Sequence, residues 1–124
     1  MDQRKLADEM QRIREELTGI TDTAVAAVDG LLIAADTGRS IDAEGLAAIA
    51  AAGLGLARRT VAATERGELR RMVTYASAGC AAVYPVGEIA LLVVLGDEGL
   101  DIDLLDEEFP PVLERIGMIL TDGA

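Results

Sequence analysis

The sequence predicts an α+β fold in a single domain, residues 1–124: one five-stranded antiparallel sheet with helices on its faces, in the order α-β-β-α-β-β-β-α. Three observations carry this prediction. Apolar residues make up 51% of the 124 residues, enough for one buried core. Five short apolar or alternating segments fall into a pair and a trio, joined within each group by tight glycine-containing turns. Three further segments carry helical periodicity, and they fall before, between and after the strands.

Leu6, Met10, Ile13 and Leu17 recur at spacings of four, three and four, with charges between them, so the first element is an amphipathic helix ending near Gly19. The segment TAVAAV, then Asp29-Gly30, then LLIAAD reads as a hairpin on a type I′ turn, since Asp-Gly accepts positive φ angles. Thr37 to Ile41 is a polar loop. A long helix follows from Asp42 to about Glu65, with Asp42 as N-cap and Gly67 as its stop. Glu68 to Ala76 alternates Leu69, Arg71, Val73 and Tyr75 against Arg70, Met72 and Thr74, the pattern of an edge strand with charge near its start. Ser77-Ala78-Gly79 turns the chain into CAAVYPV, and Gly87-Glu88 turns it into IALLVVL, a continuous apolar run suited to a central strand covered on both faces. The acidic stretch after it reads as a loop or short irregular helix. Val112, Leu113, Ile116, Ile119 and Leu120 mark a last amphipathic helix, with Pro110 and Pro111 expected in its first turn.

The long helix is unusual in its middle, GLAAIAAAGLGLA from Gly45 to Ala57, which has no charged face. Leu46, Ile49, Leu54 and Leu56 are expected on one broad half and Ala48, Ala51, Ala52 and Gly55 on the other. A helix without a polar side is expected to be covered twice, and in a small chain the second cover is another chain. Ala48, Ala52, Gly55, Arg59 and Ala62 form one stripe at spacings of four, three, four and three, small enough for two backbones to approach. The bland alternative is an Ala-rich helix lying under its own loops.

Charge and composition exclude several functions. The net charge of -11 argues against nucleic acid and against an anionic membrane as the main partner. Arg58, Arg59, Arg66, Arg70 and Arg71 lie within fourteen positions, whereas Asp97 to Glu108 holds seven acids and no base. These are either two solvated surface segments or the poles of a molecule that docks a partner in one orientation. The lone Cys80 permits no intrachain disulfide and reads as a small buried hydrophobe in a reducing, cytoplasmic setting. The charged N-terminal segment has no signal-peptide core, and the uncharged runs Gly45–Ala57 and Met72–Gly87 are too short or too broken to span a bilayer.

No catalytic constellation is legible. The absence of histidine removes Ser–His–Asp and Cys–His nucleophiles and His-containing metal sites. Gly53 and Gly55 lie within helical periodicity and lack the strand before and the Lys-Ser/Thr after that a phosphate loop needs. The acidic cluster at Asp101, Asp103, Asp106, Glu107 and Glu108 lacks the ligand order of an EF-hand and reads as solvated. Neither a metal nor a cofactor is expected.

The hairpin VDGLLIAAD (Val28 to Asp36), the helix DAEGLAAIAAAGLGLA (Asp42 to Ala57), the strand pair around Tyr84-Pro85-Val86-Gly87 leading into ALLVVLG (Ala90 to Gly96), and LERIGMIL (Leu113 to Leu120) resemble the Roadblock/dynein-light-chain family, in particular its small bacterial MglB-like members. The resemblance spans nearly the whole chain. It implies one long helix on one sheet face and the N- and C-terminal helices on the other. It also implies homodimers in which the long helices pack together and the edge strand after them pairs with its counterpart. Ala48, Ala52, Gly55, Arg59, Ala62, Arg70 and Met72 would then form the interface. Bacterial members often work with a Ras-like small GTPase, so the implied function is a non-enzymatic module that activates or scaffolds such a GTPase. Arg58, Arg59, Arg66 and Arg71 are the candidate partner-binding residues, and one of the arginines could act as a finger on transferring phosphate. The alternative is a small-molecule sensing domain of similar shape, which would need a roomy apolar pocket with converging polar groups. The sequence departs from the family pattern at EEFPP (Glu107 to Pro111), where an uninterrupted helix is implied.

Overall fold

The computed structural model describes residues 1–122 and contains α1 (Gln3–Glu16), β1 (Ile20–Ala27), β2 (Leu32–Asp36), α2 (Ala43–Thr64), β3 (Met72–Ala76), β4 (Gly79–Val86), β5 (Ala90–Gly96) and α3 (Ile102–Thr121). The five strands form one antiparallel sheet in the order β2-β1-β5-β4-β3. The element order and fold class are those the sequence predicts.

Strand alternation divides the core into two layers. On one face Val25, Tyr84, Val86, Leu92 and Val94 meet Leu6, Met10 and Ile13 of α1 and Ile102, Leu105, Phe109 and Ile116 of α3. On the other face Ala24, Ala26, Val83, Leu91 and Val93 meet Ala47, Ala50, Ala51 and Leu54 of α2. The middle strand β5 is therefore buried on both sides, which its unbroken apolar run requires. The α2 layer is thin because alanines fill it, so helix and sheet approach closely.

Local chemistry sets the boundaries. Asp2 caps α1 by accepting from the N–H groups of Arg4 and Lys5 at 3.0 and 3.1 Å. Asp42 caps α2 through the Gly45 N–H at 3.1 Å, and Asp101 caps α3 through the Leu104 N–H at 3.2 Å. The β1–β2 connection is not a type I′ turn, because only Gly30 has positive φ. Instead Ala27 N–H donates to the Leu31 carbonyl and Gly30 N–H to the Ala27 carbonyl, both at 2.9 Å, a three-residue loop with glycine in the left-handed position. The left-handed residue that closes α2 is Glu65, at φ 53°, two positions before the expected glycine.

Two further expectations are corrected at the edge and in the last helix. Strand β3 begins at Met72, not Glu68. Leu69 and Met72 both pack in the α2-side layer, whereas Arg71 reaches α3, so the two-residue alternation breaks across this segment. The acidic stretch is not a loop: from Ile102 it is the first half of α3, and Pro110 and Pro111 lie in the interior of that helix. Each proline removes the N–H that would bond the carbonyl four residues earlier, at Asp106 and Glu107. The helix continues because tertiary contacts hold both sides. Leu105, Phe109 and Ile116 are fully buried, and Phe109 meets the Tyr84 ring edge-on at 4.9 Å between centroids. An uninterrupted helix over EEFPP is what the family resemblance implies.

Candidate functional site

The outward side of α2 is built by the same periodicity that seats it. With Ala47, Ala50, Ala51 and Leu54 on the sheet, Ala48, Ile49, Ala52, Gly55, Leu56, Arg59 and Ala62 are exposed. The large apolar residues do not share one half: Leu54 is buried, Leu46 is half-buried, and Ile49 and Leu56 are 72% and 64% exposed. Their spacing of seven places them on one outward line, beside the small-residue stripe. Two large aliphatics among alanine and glycine leave this surface without a polar group from Gly45 to Ala57.

The whole of α2, longer than its uncharged central run, is long and apolar enough to cross a membrane by length and composition alone. Its inner side is packed on the sheet, and Arg58 and Arg59 interrupt its outer and lateral surface.

Beside α2 lies the free edge of β3, which has no hydrogen-bonded neighbour on its outer side among the described residues. Of the expected interface residues, Ala48, Ala52, Gly55, Arg59 and Ala62 share the outward stripe, and Arg70 is exposed just before the edge strand. Met72 differs. It lies half-buried beneath α2, where a Cβ added to Gly53 would stand 2.8 Å from its methyl carbon. Gly53 thus makes room for Met72, and the pair locks helix to edge.

The arginines do not form one free cluster. Arg58 donates to the Gly87 carbonyl at 3.0 Å, and Arg71 donates through Nε to Asp106 at 2.7 Å. Arg59, Arg66 and Arg70 are exposed, without an ion pair or hydrogen bond from their side chains among the described residues. The Arg71 contact also joins the basic and acidic segments, so they are not opposite poles of the molecule. Asp106 accepts a second bond, from the Tyr84 hydroxyl at 2.9 Å. Burial raises the Tyr84 pKa well above its ordinary value, and the Asp106 hydrogen bond and charge push it the same way. Nothing in the spacing of Arg71, Tyr84 and Asp106 advertised this network, because they come from the segment before β3, from β4 and from α3.

Elsewhere Glu9, 6% exposed, accepts from Arg115 at 2.8 Å and pins α1 to α3. Cys80 is half-buried at the rim of the core, less enclosed than expected. A surface concavity between α1 and α3 is lined by the charged Asp2, Arg4, Lys5, Asp8, Arg12 and Arg115 together with Met1, Met118 and Ile119, and a smaller, more apolar one lies between Tyr84, Phe109, Pro110 and Leu113 with Arg70 and Asp106 at its rim.

Residues 6–96 match the family model of the Roadblock/LC7 domain. The chain belongs to the Roadblock/LC7 family. It is 34% identical over 98 residues to the uncharacterized protein MJ1340 of Methanocaldococcus jannaschii, covering 79% of this chain and 85% of that one. Among solved structures, Myxococcus xanthus MglB superposes with a TM-score of 0.86 at 16% identity, over 97% of this chain and 98% of that one. A Roadblock/LC7 domain from Streptomyces avermitilis gives 0.82 at 20% identity, over 90% and 94%. The gliding protein MglB of Thermus thermophilus gives 0.83 at 14%, over 97% and 91%. The Roadblock/LC7 match ends with β5, so α3 and its two prolines lie outside it.

Proposed function

We propose that this Roadblock/LC7 chain is a non-enzymatic homodimeric module that binds and regulates a Ras-like small GTPase in the cytoplasm. The observation that carries the reading is the uncovered apolar side of α2, where Ile49 and Leu56 stand exposed along a stripe of alanine and glycine beside a free strand edge. Side chains of this kind are favourable to bury, about 1.5–3 kcal/mol for each large aliphatic removed from water. Two copies meeting through α2 and β3 would cover both features at once. The family resemblance supplies the GTPase as partner, and activation and scaffolding are both compatible with that role.

Purified protein added to a Ras-like GTPase of the same cell should change its rate of GTP hydrolysis or its retention of nucleotide. A failure to bind any such GTPase, in either nucleotide state, overturns this function. A finger role falls to Arg59, Arg66 or Arg70 before Arg58 or Arg71, whose guanidinium groups are already engaged within the chain. Glutamine at those three positions, tested singly, should lower stimulated hydrolysis only if one of them enters the GTPase site.

A further inference from the structure

Two turns lie side by side at one end of the sheet, residues 28–31 after β1 and residues 87–89 after β4. Both are tightly held. Val28 N–H donates to the Ile89 carbonyl at 3.1 Å, which ties one turn to the other. Leu31 N–H donates to Asp29 at 3.1 Å, and the Arg58 guanidinium donates to the Gly87 carbonyl at 3.0 Å. Gly30 sits so close to α2 that an added Cβ would stand 3.3 Å from Ala48 Cα. Yet these fixed turns expose three large aliphatic side chains: Val28 at 41%, Leu31 at 69% and Ile89 at 49%. Grouped aliphatics on rigid connecting segments mark an interaction surface better than scattered ones.

The charges around the patch select what covers it. Asp29 and Glu88 are exposed within the two turns, and Arg58 is half-buried against a carbonyl, so the rim is acidic. A second copy meeting this patch with its own would set Asp29 and Glu88 against the same residues. An anionic membrane or nucleic acid would be repelled by this rim and by a chain of net charge -11. A protein surface with an apolar centre and flanking lysines or arginines fits.

We propose that this turn patch is the surface on which the GTPase partner docks. The proposal rests on the GTPase reading for the class of partner and goes beyond it in placing the contact on the turns and not on the side chains of Arg59, Arg66 and Arg70. The patch adjoins the outward stripe of α2, since Gly30 abuts Ala48 and one concavity is lined by Ala62, Gly87 and Glu88, so the light-scattering mass is the control that separates docking from self-association.

The test uses the full chain and each Ras-like small GTPase of the same genome, purified and loaded with GDP or a non-hydrolysable GTP analogue. The double variant Leu31→Ser with Ile89→Ser should keep the wild-type mass by light scattering and bind the GTPase at least tenfold more weakly. Asp29→Lys with Glu88→Lys should slow association and flatten its dependence on salt. Unchanged affinity in the serine variant, with wild-type protein binding, overturns the docking surface and leaves the GTPase reading standing. A fall in mass of the serine variant also overturns it, because the patch would then hold a second copy. No binding by wild-type protein overturns both readings.

Discussion

A Cβ built at Gly55 meets nothing within 4 Å, and Ala52 is exposed one turn before it. A glutamate at either position therefore fits the single chain without a clash, so any loss of assembly reports on an interface. Ala52→Glu and Gly55→Glu should each reduce the light-scattering mass from dimer to monomer, because pairing would bury an uncompensated carboxylate. A dimer that survives both changes removes α2 from the interface. Tyr84 makes a second prediction at this scale. Its pKa is raised in the folded chain, chiefly by burial and then by Asp106, above the ordinary value of about 10. Below that ordinary value the hydroxyl is protonated in both states, and its stabilising contribution is fully present. As pH rises above about 10 the unfolded chain ionises first, so the contribution is lost as pH climbs toward the folded pKa. Thermal unfolding followed from pH 9 to 11 should show a steeper decline for wild type than for Tyr84→Phe; parallel curves would contradict the assignment. In the sequence Tyr84 stood out only as part of the Tyr84-Pro85-Val86-Gly87 strand motif and Asp106 only as one acid among seven, and nothing in their spacing paired them.

At the scale of elements, α3 shows where local reading stops. Two prolines in sequence are a strong boundary signal, and the sequence places them in a first turn. The structure puts them in mid-helix because Leu105, Phe109 and Ile116 on either side share one buried face, a periodicity that begins before the prolines and continues beyond them. Interior proline is disfavoured by about 3 kcal/mol relative to alanine. Pro111 is exposed, so Pro111→Ala should restore a bond to the Glu107 carbonyl and stabilise the chain by about 1–3 kcal/mol. Denaturant unfolding would show this as a higher midpoint at unchanged slope. A lower midpoint would mean that the proline ring contributes packing of its own. The two helices before α3 and the order of all five strands were legible, since their periodicities are uninterrupted. The first residues of β3 were not, because Leu69 and Arg71 follow different sheet faces despite an alternating spelling. The outward position of Ile49 and Leu56 was available from their spacing of seven, but hydrophobicity alone groups them with Leu54.

For the whole molecule, the two charge segments that look separate in the sequence meet at the bond between Arg71 and Asp106. Polarity along a chain thus says little about polarity in space, and the exposed remainder, Arg59, Arg66 and Arg70, is smaller than the sequence suggests. The sheet order has a different consequence, in the time taken to build the protein. Each hairpin pairs neighbours in sequence, but the two halves join only through β1 against β5, where Ile20 faces Gly96 and Ala27 faces Ala90. As the chain emerges from a ribosome, the edge of β1 that will receive β5 must wait unpaired while α2, β3 and β4 are made. That seam is a long-range closure, slow compared with the local hairpins and helices. The most apolar strand arrives last among the five and goes directly into the middle. Synthesis therefore keeps ALLVVL out of reach of other nascent chains until both of its neighbours exist to receive it.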